Sequence, residues 1–186
     1  MPKITEAKIL ILATNGFEQS ELETPLHELK GKGATVHVAS PDGEAIKGWD
    51  EKDWGNEVKA DLALADVKAA DYDAIVLPGG QINPDILRTI PEAVDLIKTF
   101  YNEGKTVAAI CHAPWLLVEA GIVKGKKVTS YNSIKTDIVN AGGDWHDKEV
   151  VTDKGLITSR NPNDLPAFVA KIVEEIEEGE HQRAAA

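Results

Sequence analysis

The only cysteine in the chain, Cys111, stands in Val107-Ala108-Ala109-Ile110-Cys111-His112-Ala113-Pro114-Trp115, where an apolar β-type run changes abruptly into a helical pattern. A side chain on such a strand-to-helix turn projects above the carboxyl ends of the strands, and the following helix aims unpaired N–H groups at it. Those groups favour thiolate over thiol and can hold the oxyanion formed when sulfur attacks a carbonyl. His112 adds an adjacent imidazole able to act as a base. A lone intracellular cysteine is more often a small apolar core residue, so its neighbours have to carry the case. Glu18, in Asn15-Gly16-Phe17-Glu18-Gln19, offers a carboxyl whose pKa rises beside a thiolate and which can then move a proton to or from a reacting carbonyl. Pro78-Gly79-Gly80 follows another apolar run, and two positions without side chains let backbone amides approach a ligand or oxyanion closely.

The elements around these residues alternate between strand and helix signals. Lys8 to Ala13 is a short apolar run ending in Thr14-Asn15-Gly16; a helix with Ser20 as N-cap and an apolar stripe at Leu22, Leu26 and Leu29 follows, stopped by Gly31 and Gly33. Thr35 to Ala39, Ala74 to Leu77 and Thr106 to Ile110 are further buried strands. Residues 40–57 read as a long polar excursion whose Trp49 and Trp54 pack on the scaffold, and Val58 to Leu64 as a short added strand. Asn83-Pro84 resembles a helix cap with a first-turn proline, and Pro91 opens another helix. Ser133 to Asn140 is a candidate helix, Glu149 to Ser159 a hairpin turning at Asp153-Lys154-Gly155, and Asp164 the cap of a final helix through Ile176. This alternation predicts a mostly parallel sheet covered on both faces, with ligands beyond the carboxyl ends of the strands. The loops at 14–19, 78–83 and 111 should converge there.

Composition narrows the function. With 42% apolar and 27% charged residues, the 186-residue chain reads as one globular domain spanning 1–186. A formal charge of -11 argues against a broad nucleic-acid surface. No run reaches signal-peptide or membrane-span length, so a cytoplasmic location is expected. One cysteine forms no internal disulfide, which agrees with a reducing compartment. Neither zinc-site spacing nor a dinucleotide fingerprint is present, so no metal and no cofactor are expected.

Gly16-Phe17-Glu18, Leu77-Pro78-Gly79-Gly80, Ala108 to Leu117 and Thr152 to Ser159, in this order, resemble the PfpI peptidase family, in the superfamily of the parkinsonism-associated protein deglycase. The resemblance implies a flavodoxin-like three-layer sandwich of the class I glutamine amidotransferase type, forming a homodimer or higher homo-oligomer. It implies Cys111 as nucleophile, Glu18 as the protonated carboxyl beside it, His112 as the adjacent imidazole, and amides at Gly79, Gly80 and His112 as oxyanion or substrate donors. In the peptidase branch a neighbouring subunit's glutamate, just past Pro-Gly-Gly, orients the histidine. Here the matching acid is Asp85, one methylene shorter and in a longer loop. The implied activity is cofactor-free carbonyl chemistry, as a glyoxalase or a deglycase of glycated proteins, with small carbonyl compounds as partners. The alternatives are a redox-sensing or chaperone-like stress protein without turnover and an intracellular cysteine peptidase.

Overall fold

Strand β1 (Lys8–Leu12) sets the architecture, because Ile9, Leu10, Ile11 and Leu12 are all fully buried. Alternate residues of a strand face opposite ways, so Leu10 and Leu12 enter one core and Ile9 and Ile11 another. In the computed structural model, which describes residues 2–183 and 185, the remaining elements follow this division. After β1 come β2 (Phe17–Glu18), α1 (Gln19–Gly31), β3 (Thr35–Ser40), β4 (Ile46–Asp50), β5 (Asp53–Val58), β6 (Leu62–Ala63) and β7 (Ala74–Leu77). The second half contains α2 (Ile82–Leu87), α3 (Pro91–Asn102), β8 (Thr106–Ile110), α4 (Pro114–Glu119), β9 (Lys127–Val128), α5 (Lys135–Asn140), β10 (Asp144–Trp145), β11 (Val151–Asp153), β12 (Leu156–Ser159) and α6 (Leu165–Glu178).

The main sheet has the order β11-β12-β8-β7-β1-β3-β6, and only the β11–β12 hairpin is antiparallel. Ile97 and Phe100 of α3 cover one face, whereas Leu22 and Leu29 of α1 and Phe168 and Ile172 of α6 cover the other. The chain leaves β1 toward β3 on one side and later returns through β7 on the other. The crevice between β1 and β7 is therefore the switch point where such sheets bind ligands.

Several local expectations are revised. Residues 46–58 are an antiparallel hairpin, β4 and β5, joined to β2 as a second sheet. Trp49 pairs with Trp54 across it, their rings edge to face at 5.6 Å, and Glu51 turns the corner with φ 53°. Pairing of β2 with β4 starts α1 one residue before Ser20, whose hydroxyl donates to Glu18 rather than capping the helix. Asn83 lies inside α2 and is completely buried: it accepts from the Thr14 N–H at 2.8 Å and donates to the Pro78 and Gly79 carbonyls. Asp164 occupies the N-cap position of α6, but its carboxylate accepts from the Arg160 guanidinium, and the helix runs two residues past Ile176.

Candidate active site

Strand β8 delivers Cys111 to the crevice in a left-handed conformation, φ 65°. That geometry costs a non-glycine residue about 1–3 kcal/mol, and the backbone around it is held firmly. The Cys111 N–H donates to the Ser159 carbonyl at 3.0 Å, and the Cys111 carbonyl accepts from the Tyr131 N–H at 2.7 Å. Main-chain bonding thus continues through the turn while the thiol points away, with the Gly80 and His112 amides directed at its sulfur. Helix α4 has six residues and starts at Pro114, so its dipole contributes little. Burial, followed by the nearby Glu21 charge, pushes the Cys111 thiol up, against the expectation of a thiol lowered by a helix terminus.

The carboxyl beside the sulfur is Glu21 and not Glu18. Glu18 is the extended residue before α1 and points to the rim, with its backbone N–H donating to the Gly79 carbonyl. Glu21, in the first helical turn, is fully buried against the Cys111 side chain. Its Oε2 accepts from the Gly79 N–H at 2.8 Å, and the Gly80 amide and the Cys111 thiol also face the carboxyl. Desolvation, and then the charge of Glu18, push the Glu21 carboxyl up to about 8. At neutral pH it therefore holds its proton, and its repulsion of a thiolate disappears. A sequence signal for this existed, since Glu21 shares the inward stripe of α1 with Leu22, Pro25 and Leu29. An acid on such a stripe is seldom structural.

His112 is buried beside Cys111, with Nδ1 3.2 Å from Sγ and Nε2 3.2 Å from the Ser133 hydroxyl. These two contacts hold the imidazole in place whichever nitrogen carries the proton. Tyr131 stacks on the ring at 4.6 Å and Trp115 meets it edge-on at 5.2 Å. Burial lowers the His112 pKa to about 4, so the ring is neutral at physiological pH.

One sequence assignment changes here, and Asp85 stands outside the cleft of its own chain. The Gly79 amide is committed to Glu21, which leaves the amides of Gly80 and His112 for an oxyanion. A Cβ at Gly79 would lie 2.5 Å from the Glu21 carboxyl and 2.6 Å from Cβ of Cys111, so glycine is required for closeness. Asp85 lies on the outer side of α2, its side chain 67% exposed, 3.9 Å from Arg88. The hydrogen-bonding partner at the far nitrogen of His112 within this chain is Ser133, not Asp85. Around the thiol opens a cleft of about 570 Å³ whose walls include Glu18, Trp49, Glu51, Ile82 and Tyr131.

Residues 7–175 match the DJ-1/PfpI family. The chain belongs to that family. It is 43% identical over 166 residues to the deglycase PfpI of Pyrococcus furiosus, a match spanning 89% of this chain and 97% of the relative. It is 41% identical over 163 residues to protein/nucleic acid deglycase 2 of Escherichia coli, spanning 87% and 92%. Drosophila melanogaster DJ-1beta superimposes with a TM-score of 0.82 at 34% identity, covering 93% of this chain and 95% of that one. The DJ-1/PfpI fold thus agrees with the flavodoxin-like sandwich expected from the sequence. Glu21, Ser133, Tyr131 and Asn83 are the site residues to which sequence reasoning gave no role, and Tyr131 and Ser133 reach the crevice from a segment without a chemical motif.

Proposed function

We propose that the protein is a cysteine-dependent enzyme acting on reactive carbonyls, as a glyoxalase and as a deglycase of methylglyoxal- or glyoxal-modified groups. One observation carries the reading: a fully buried carboxyl that keeps its proton near neutrality lies against a cysteine on a left-handed turn. In methylglyoxal the sulfur adds to the aldehyde carbon, a C–S bond forms, and the carbonyl oxygen takes a proton to give a hemithioacetal. The Gly80 and His112 amides face the oxygen while it carries charge. Glu21 then removes the proton from that carbon and returns one to the neighbouring carbonyl carbon, leaving a thioester of lactate. A carboxyl with a pKa raised toward neutrality suits a transfer in both directions. Water attacks the thioester, the C–S bond breaks, and lactate and the thiol are released. From a hemiaminal or hemithioacetal adduct the same intermediate forms after the amine or thiol departs. Neutral His112 is in reach to accept the thiol proton and to assist the water.

The names of the relatives support the deglycase branch, and one of them is general stress protein 18 of Bacillus subtilis, 42% identical over 163 residues. Repeated turnover separates an enzyme from a sensor, which reacts once per thiol. The test is lactate release from methylglyoxal, and separately from methylglyoxal-modified N-acetylcysteine and N-acetyllysine, by the wild type, Cys111→Ala and Glu21→Gln. The expected result is many lactates per wild-type chain and background rates for both variants. Stoichiometric lactate, or full rates in Cys111→Ala, would overturn the reading.

A further inference from the structure

The base of a cysteine–histidine pair is oriented by a third group, and at His112 that group is a neutral hydroxyl. The ring touches Cys111, Ser133, Tyr131 and Trp115, none of which is a carboxylate. Of the cleft's carboxyls, Glu21 is bonded to the Gly79 N–H, Glu18 to the Ser20 hydroxyl, and Glu51 stands at the corner of the β4–β5 hairpin. Burial is the one cause of the lowered His112 pKa.

Ser133 is exposed, yet the backbone sets its place. The Tyr131 N–H donates to the Cys111 carbonyl at 2.7 Å, the Ile134 N–H donates to the Tyr131 carbonyl at 3.1 Å, and Ile134 is buried. Residues 131–134 are thus tied at one end to the turn that carries the thiol and at the other to the core. The partners of the ring assign its hydrogen. Sulfur is a weak acceptor and the Cys111 thiol keeps its hydrogen at neutral pH, so S–H donates to Nδ1. A neutral imidazole has a single N–H, which then lies on Nε2 and donates to the Ser133 oxygen.

We propose that Ser133 is the positioning residue of His112 and sets the reaction preference of the site: its oxygen holds the Nε2–H tautomer, with Nδ1 free to take the thiol hydrogen, but supplies no charge to keep an imidazolium. In carbonyl addition the S–H bond breaks as the C–S bond forms, Nδ1 takes the proton and passes it to the adduct oxygen, and the ring ends neutral. A brief imidazolium suffices. Cleaving an amide asks more, because the proton must stay on the ring until it is given to the leaving nitrogen. The hydroxyl therefore favours carbonyl addition over amide cleavage. The inference rests on the carbonyl reading for the chemistry, whereas the tautomer and titration of His112 are read without turnover.

Ser133→Ala, Ser133→Thr and Ser133→Asp test it, and the exposed position should leave each variant folded. Nitrogen-15 NMR of the imidazoles reports the tautomer, with His112→Gln locating the signals of His112 among the five histidines. Wild type and Ser133→Thr should carry the hydrogen on Nε2, and Ser133→Ala should show a mixture of tautomers. For lactate from methylglyoxal, kcat should fall about tenfold in Ser133→Ala, the worth of one hydrogen bond, with KM kept and Ser133→Thr close to the wild type. Ser133→Asp should raise the His112 pKa, speed alkylation of Cys111 by iodoacetamide near neutral pH, and raise the rate on a fluorogenic peptide relative to methylglyoxal. An unchanged tautomer and kcat in Ser133→Ala, or an equal loss in Ser133→Thr, overturns the positioning role. No gain in peptide cleavage relative to methylglyoxal in Ser133→Asp overturns the reaction preference. Tautomer shifts with no lactate from any form would sink the carbonyl reading and leave the positioning of His112 standing.

Discussion

Glu21 and Glu18 are both glutamates three positions apart, yet their surroundings give them different chemistry. Glu21→Gln keeps the volume and the Gly79 hydrogen bond but cannot carry a proton, so lactate formation should fall by on the order of 100-fold or more. Glu18→Gln should change the rate on uncharged methylglyoxal far less, and comparing the two rates in folded proteins checks the assignment. Stability follows from the same group. Its folded pKa, about 8, lies above the ordinary 4.5, so between those values the folded chain retains a proton that the unfolded chain has lost. Its contribution to stability is fully present below about 4.5, is lost as pH rises toward 8, and changes no further above that value. The slope is at most about 1.4 kcal/mol per pH unit. Urea midpoints should show Glu21→Gln gaining on the wild type through that window and matching it most closely in acid. Turnover should decline over the same upper range, as a charged Glu21 comes to oppose the thiolate. Absorbance of the thiolate against pH should show the Cys111 midpoint falling in Glu21→Gln, since the second-largest cause of its elevation is removed.

At the scale of elements, three connections meet at the crevice, and Asn83 joins two of them. Its amide serves the Thr14 N–H after β1 and the Pro78 and Gly79 carbonyls after β7. Asn83→Ala leaves these buried groups unpaired, each at about 1–3 kcal/mol, so denaturant unfolding should show a loss of about 2–4 kcal/mol with reduced turnover. Asn83 thereby bears on the geometry of the Gly79 amide and hence on Glu21. Gly79→Ala tests that amide directly. Its Cβ has no room beside Glu21, Cys111 and the Ile110 carbonyl, all within 2.6 Å, so the variant should lose both stability and rate.

At the scale of the whole molecule, α2 exposes Ile82 and Ile86 one turn apart, at 38% and 41%, next to exposed Asp85. Ile82 also lines the Cys111 cleft, so a second copy seated on this face would border the site. That is the arrangement in which a partner's Asp85 could serve a histidine across an interface, as the sequence resemblance implied. Sedimentation should give a homodimer that Ile86→Lys dissociates. Asp85→Ala, kept dimeric, should then reduce any amide hydrolysis more than methylglyoxal conversion, because only the former needs His112 to protonate a leaving nitrogen.

The sheet and the turn that carries Cys111 were legible in the sequence because local signals determine them. Buried parallel strands are continuous apolar runs, glycine and proline punctuate them, and Cys111 sits where one period gives way to another. The hairpin at 46–58 was hidden because its polar residues form strands only by pairing with each other and with Phe17–Glu18. The α1 stripe hinted at Glu21, but choosing it over Glu18 needed the tertiary structure. Which carboxyl meets the sulfur depends on where β2 ends and α1 begins, and that boundary is set by pairing to β4, from residues about 30 positions away. Protonation is decided at the same level. Burial sets the states of Glu21, Cys111 and His112, and burial depends on how distant segments close over a site rather than on the identity of any one residue.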